Sequence, residues 1–487
     1  MYGRPGAPCS AALCVFYILV CIAFARSSNG MSPVAPRSAV EGFTSRPAVS
    51  KIRWFVCLLL FLATTINYMD RSVLSLIEPL LHLPFMGWLP GVGAKYQAGY
   101  HLNYGHIVEC FQVAYAVGFL VAAPFIDRLG TKIGYSVAIG VWAIASISHS
   151  LVHSVIGFCI ARACLGLGES GNFPAAIKAT SEWFSSEDRA LAIGLFNSGA
   201  NAAFFIAPAI VPLATLHFGG WRAAFLCTGG MGLCWLVLWL LFPYNRLRRG
   251  LTTTQADLRR VVPNVTGKRL YGILLRNRGL YAFSIAKGLT DPVWWFYLFY
   301  LPMYLNDNYG LSLKQAYWPI VVVYAVSSLG SFLGGGLSGR RMKRGHTVNS
   351  GRKFALLVTS LCVLPLMLVP HMHKLFAHNA WPAVGLFALA AAAHQGWSAT
   401  LFATPTDMFP STSVSTVVGI GGAVGSLGGA LFTVLVSHLL SLHPMVIFTL
   451  ASSAYVISLL IFQLLVPRIG VSPKGDGGVD LWAETNG

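Results

Sequence analysis

Acidic side chains are scarce in this chain, with 16 Asp and Glu against 34 Lys and Arg, and residues of either charge make up only 10% of it. Soluble domains run near 25% charged, so 487 residues this poor in charge cannot clothe themselves for water. Catalytic signatures are missing as well. No HExxH, GxSxG or Walker loop occurs, which removes the zinc-protease, α/β-hydrolase and nucleotide-driven readings. The 10 cysteines form neither a CxxC pair nor a Cys/His cluster, so no metal is expected and they read as small hydrophobes. The glycine run Gly419–Gly429 has no strand before it and suits close helix packing, not a dinucleotide. An enzyme is disfavoured, and no cofactor is called for beyond an ion gradient.

What the chain has in quantity is apolar length. Hydrophobic residues reach 55% and mean hydropathy is +0.64. Runs longer than 18 residues recur, which selects membrane helices over a barrel. From Trp54 the spans read roughly 54–79, 103–126, 133–152, 155–180, 187–212, 221–243, 279–305, 316–338, 352–372, 380–404, 413–438 and 443–466. The expected fold is an all-α membrane protein of twelve transmembrane helices in two six-helix bundles. The bundles are residues 54–243 and 279–466, joined by a polar linker over 244–278. Nine Lys and Arg lie in that linker and six more follow span eight, at Arg340, Arg341, Lys343, Arg344, Arg352 and Lys353. Lys95, Lys314 and Lys374 stand nearly alone in the opposite loops. The positive-inside rule therefore places linker and termini in the cytoplasm. The net charge of +18 is topogenic and lipid-facing on this reading, with no nucleic acid involved. Trp88, Tyr96, Tyr100, Tyr104 and Trp381 suit an outer aromatic belt. Residues 1–53 form an extension and tail: 11–25 resembles a signal peptide, and Met31 is an alternative start. Residues 467–487 form the C-terminal tail.

Charge inside such spans is costly, about 2.5–3.5 kcal/mol per side chain at the bilayer centre on insertion scales. Two spans carry it nonetheless. Arg162 and Glu169 bracket the glycine-bearing RACLGLGE in span four, nearly two turns apart on one helix face. Asn67, Tyr68, Asp70 and Arg71 lie together in span one, where Asn67 and Arg71 share a face and Asp70 sits about a third of a turn away. Two arginines with two carboxylates at lipid depth read as an anion site coupled to protons. An arginine fork suits a carboxylate, and a buried Asp or Glu suits a proton. The bland alternatives are internal salt bridges, Asp70 to Arg162 and Glu169 to an arginine.

Between spans two and three, Asp127, Arg128 and Lys132 surround a tight glycine turn that can cap helix ends and latch onto a neighbouring span. This loop resembles the signature G-x-x-x-D-R-x-G-x-K/R of the major facilitator superfamily, with Ala123 in place of the leading glycine. Its second-half counterpart, from Gly336 to Gly345, has no acidic residue, which implies an asymmetric latch. INYMDRSVLS (66–75), the Arg162–Glu169 spacing and GWRAAF (220–225) resemble the anion:cation symporter family. TDPVWWFYLFYLP (290–302), HQGWSA (394–399) and DMFP (407–410) are similar to its hexuronate-transporter branch. The resemblance implies that Arg71 and Arg162 hold a substrate carboxylate and that Asp70 and Glu169 take up protons.

In the second half, Trp294 and Trp397 are expected to stack on a sugar ring, as are Trp295, Tyr297 and Tyr300. Gln395 and Asn197 are expected to bond its hydroxyls, with His394 and Asn201 as further polar candidates. The expectation is a proton-coupled importer of an aldohexuronate, working as a monomer by alternating access in a bacterial inner membrane. An aldonate or dicarboxylate is the rival substrate, and a non-transporting sensor of the anion is the rival class.

Overall fold

The computed structural model describes residues 47–81, 84–87, 98–252, 268–311, 313–376, 379–439 and 444–469. The signal-like stretch 11–25, Met31, Trp88, Tyr96, and linker residues 253–267 lie outside them. The long helices are α1 (Pro47–Leu76), α2 (Ala98–Ser148), α3 (Val155–Glu169), α4 (Asn172–Trp183), α5 (Ser186–His217) and α6 (Trp221–Leu241). Two short helices follow, α7 (Tyr244–Thr252) and α8 (Lys268–Leu274). The second half holds α9 (Arg278–Tyr309), α10 (Leu313–Lys343), α11 (Val348–Val363), α12 (Val369–Leu375), α13 (Trp381–Met408), α14 (Val414–Leu439) and α15 (Pro444–Leu465). Helix makes up most of the described residues in each sequence-derived span, and no strand is found among the described residues. Among the described residues, eight stretches of helix are long and apolar enough to cross a membrane. Their outward faces are hydrophobic: Leu151, Leu216 and Leu464 are each more than 70% exposed. Contact with lipid, not water, is the environment such faces require.

Two departures from plain spans have local causes. α2 covers spans two and three without interruption, but Gly130 inside it has φ 79° and ψ 162°, so the chain turns there and only a glycine adopts the angle cheaply. Span four is broken. α3 ends at Glu169 and α4 starts at Asn172, so the two charges of RACLGLGE both lie on α3, with Glu169 as its last residue. Irregular backbone at membrane depth is found where it is buried in protein or lines a cavity.

The described residues group into two compact units. Unit 1 draws on the described residues within Met1–Tyr115, Ser136–Asn172 and Ser198–Arg260, and unit 2 on those within Ala116–Tyr135, Phe173–Asn197 and Val261–Gly487. In unit 1, Val73, Leu74, Phe158, Trp221 and Phe225 form a core that also buries Tyr100, so this tyrosine is not part of an exposed belt, whereas Trp381 in unit 2 is 54% exposed. α3 lies against α2 through its glycines: a Cβ on Gly166 would come 2.6 Å from the Phe111 carbonyl, and one on Gly168 2.6 Å from Trp142 N. In unit 2 the same device joins α10 to α13, where Gly330 faces Ala392 and Gly334 faces Gly396. The glycine run of α14 lies on α9, with Gly428 over Gly288 and Gly429 over the Trp295 ring.

Candidate functional site: a buried carboxylate-binding cluster

Four charged side chains meet inside unit 1. Arg71 on α1 donates Nε to Glu169 Oε2 on α3 at 2.7 Å and Nη2 to Asn67 Oδ1 at 3.3 Å, one turn back on its own helix. Three aromatic rings surround its guanidinium: Tyr68, Phe111 and Tyr115 have centroids 4.7, 5.3 and 4.3 Å away. Such a cage restrains the planar cation while leaving its charge for an anion. The pairing with Glu169 is the internal salt bridge that the sequence offered as the alternative to proton carriage.

Asp70 points elsewhere. Its Oδ1 accepts from Ser146 Oγ at 2.7 Å, and Ser146 lies 3.4 Å from Thr228 Oγ1. No hydrogen bond joins Asp70 to Arg162 among the described residues. Arg162 is 2% exposed, rests 6.0 Å from the Phe225 ring centroid, and keeps Nε and Nη2 buried without hydrogen-bond partners. Asn67 Nδ2, Asp70 Oδ2 and Glu169 Oε1 are buried and unpartnered too. Leaving one such group unsatisfied costs about 1–3 kcal/mol, and more when it is charged. Three donor atoms and two carboxylate oxygens in this condition are hydrogen-bonding capacity that a polar ligand or water can satisfy. Unpaired Arg162 donors suit a carboxylate, and the open carboxylate oxygens suit protons.

Asn197, Trp294, His394, Gln395 and Trp397 lie in unit 2, and Asn201 in unit 1. Asn197 Nδ2 donates to Gln395 Oε1 at 2.7 Å, so these two sequence-predicted residues are bonded to each other. Trp294 stacks on His394 with centroids 5.1 Å apart, and His394 Nδ1 lies 2.6 Å from the Tyr455 hydroxyl. One face of Trp294 is thereby taken by a protein ring. Trp397 is 1% exposed, edge-on to Tyr455, with Nε1 unpartnered. In the turn between spans two and three, Asp127 takes its cation from α4: Lys178 Nζ donates to Oδ1 at 2.7 Å. The same carboxylate accepts from Ser415 N at 3.3 Å, Thr416 N at 2.7 Å and Thr416 Oγ1 at 2.7 Å, capping the start of α14. Arg128 is exposed and Lys132 half-buried.

Sequence reading missed several of these partners. Arg352, counted there among loop cations, is fully buried: it donates Nε to Asp407 Oδ2 at 2.7 Å, and Arg189 reaches Oδ1 of the same carboxylate at 3.2 Å. Lys287 and Asp291 on α9 form a part-buried ion pair 2.6 Å long. Its signal was present as two opposite charges four residues apart inside an apolar run. Phe111 and Tyr115 carried no signal apart from their helical spacing.

A sequence model described as "Major Facilitator Superfamily" matches residues 60–433. The chain belongs to that superfamily. Among curated members, it is 29% identical over 398 residues to a hexuronate transporter of Escherichia coli strain K12, covering 80% of this chain and 88% of that one. A galacturonate transporter of Dickeya chrysanthemi is 27% identical, over 59% of this chain and 81% of its own length. A probable galactarate/D-glucarate transporter of Bacillus subtilis strain 168 is 24% identical, over 80% and 86%. Among solved structures, a superfamily proton:xylose symporter superposes with TM-score 0.68 at 14% identity, over 86% of this chain and 97% of that one. The protein is thus a multi-pass membrane protein of the superfamily fold, a transporter and not an enzyme.

Proposed function

We propose that this member of the superfamily imports aldohexuronates such as galacturonate or glucuronate, coupled to protons, by alternating access. The observation that carries the reading is the state of the two arginines. Arg71 sits in an aromatic cage with a carboxylate already on it, while Arg162, more deeply buried, has two donors waiting. A substrate carboxylate placed on Arg71 competes with Glu169. A proton on Glu169 removes that competitor and cancels its charge, so proton binding favours anion binding through the shared cation. Asp70, with one oxygen unpartnered, is the second proton site. Asn67 and Tyr68 flank the clamp. The hexuronate and galacturonate transporters among the relatives support the substrate class. A probable L-galactonate transporter 26% identical to the chain keeps an aldonate as the second reading.

In this proposal the protein is a monomer in a bacterial inner membrane, surrounded by lipid, with linker and both termini in the cytoplasm and Asp127, Arg128 and Lys132 in the cytoplasmic gating loop. The six-helix halves 54–243 and 279–466 are its moving parts, and the gradient of protons replaces any cofactor. Uptake of radiolabelled galacturonate into vesicles, with and without a proton ionophore, tests it. Accumulation that the ionophore abolishes is expected; uptake indifferent to the ionophore removes proton coupling, and no uptake of any hexuronate removes the substrate.

A further inference from the structure

Beside Arg162 lies a histidine that the charge pattern of the spans does not single out. His149 is fully buried in the 3₁₀ turn His149–Leu151, which follows α2 directly. Its ring lies flat on Phe225 of α6, with centroids 4.6 Å and planes 16° apart, and stands edge-on to Phe158 of α3 at 5.9 Å. The guanidinium of Arg162 rests against the same Phe225 ring and is within electrostatic range of the imidazole. Three residues back in the chain, Ser146 donates to Asp70. All of these residues belong to unit 1.

The partner of His149 fixes its tautomer. Nδ1 lies 2.7 Å from the Ala145 carbonyl oxygen, which can only accept, so Nδ1 carries the hydrogen. An imidazolium beside Arg162 would bury two like charges against apolar rings, so the ring is neutral and Nε2 is a lone-pair acceptor. Nε2 is buried without a hydrogen-bond partner, as are Nε and Nη2 of Arg162. One unit thus offers two donors on Arg162 and an acceptor on His149. A bare carboxylate satisfies the donors and leaves the acceptor unmet, because it has no hydrogen to give. A carboxylate with a hydroxyl beside it satisfies both. In the ring form of a hexuronate the carbon next to the carboxylate carries the ring oxygen, so the nearest hydroxyl is the one on C4.

We infer that His149 is a specificity-determining residue of the Arg162 site: its Nε2 accepts a hydrogen bond from the hydroxyl nearest the substrate carboxylate, which in a hexuronate is the C4 hydroxyl. The inference rests on the proposed sugar-acid transport and adds to it the reading of one hydroxyl by one residue.

The test is calorimetric binding of galacturonate and three analogues to the purified protein: 4-deoxygalacturonate, 4-deoxy-4-fluorogalacturonate and 2-deoxygalacturonate. The wild-type protein is expected to bind both C4 analogues about tenfold or more weakly than galacturonate, because neither has a hydrogen for the buried acceptor. His149→Phe keeps a flat ring on Phe225 and removes the acceptor, and His149→Leu removes the acceptor with a smaller side chain. In either variant the preference for galacturonate over 4-deoxygalacturonate is expected to fall to about twofold or less. Any preference over 2-deoxygalacturonate is expected to stay as it is in the wild-type protein. Equal binding of galacturonate and 4-deoxygalacturonate by the wild-type protein overturns the inference without any variant. Full affinity for the fluoro analogue does the same, since fluorine cannot donate, so poor folding of the variants does not shelter it. A C4 preference that survives in His149→Phe or His149→Leu overturns it, as does a C2 preference that collapses together with it, which would be loss of the site's shape. A wild-type protein that neither binds nor transports any sugar acid overturns the functional reading; one that transports galacturonate but ignores the C4 hydroxyl overturns this inference alone.

Discussion

Arg71 is gripped from four sides, yet only Glu169 meets it with charge. Lysine at this position keeps the charge but loses the fork and the flat face that three rings hold. Arg71→Lys, and likewise Arg162→Lys, is therefore expected to weaken galacturonate binding by about 10- to 100-fold, the range of one lost charged hydrogen bond. Binding to the purified variants by tryptophan fluorescence checks this, and near-wild-type affinity in both would take the arginines out of the substrate site. Glu169→Gln mimics the protonated carboxyl and leaves Arg71 open. Binding should persist with less dependence on pH, while proton-driven accumulation in proteoliposomes should fail. Full accumulation by this variant would leave Asp70 as the coupling residue.

Helices in this protein approach through glycine, and the seams differ in how much they tolerate. At Gly168 a methyl would enter the backbone of Trp142 at 2.6 Å, whereas at Gly385 nothing lies within 4 Å. Gly168→Ala is expected to destabilise the protein by about 1–3 kcal/mol through overpacking, and Gly385→Ala to be neutral or slightly stabilising through helix propensity. Melting of the two variants in detergent, read as loss of monodisperse protein with temperature, separates them. The same elements show what was legible from residues alone. Apolar run length placed the spans, because lipid imposes one hydrophobic thickness on every helix. The pairing of Arg71 with Glu169 was also within reach, since charges at membrane depth must find partners. The break after Glu169 was not, because nothing in Ser170-Gly171 distinguishes a helix break from one more pair of small residues. Arg352 was misread for a related reason. A cation beside a basic loop looks topogenic until the carboxylate of Asp407, 55 positions away, is found against it.

On the scale of the whole molecule, unit 2 gathers segments from both halves of the chain: Phe173–Asn197 and Ala116–Tyr135 pack with the described residues after Val261. Three carboxylates hold these segments together. Asp127 binds Lys178 and the start of α14, Asp407 binds Arg189 and Arg352, and Asp188 meets Lys343 at 2.8 Å. The acidic residue missing from the second-half loop is thus supplied from α5. Asp127→Ala is expected to cost about 3–5 kcal/mol by stranding Lys178 and to slow uptake. Restoring a carboxylate with Asp127→Glu should recover part of both, measured as melting temperature and initial uptake rate. Recovery of neither would mean that shape, not charge, is what matters at this position. The cap on α14 has one more consequence. Because Asp127 accepts directly from the amides of Ser415 and Thr416, the closed latch hides two backbone hydrogens from solvent, and deuterium uptake at those two residues becomes a native clock for how often the latch opens.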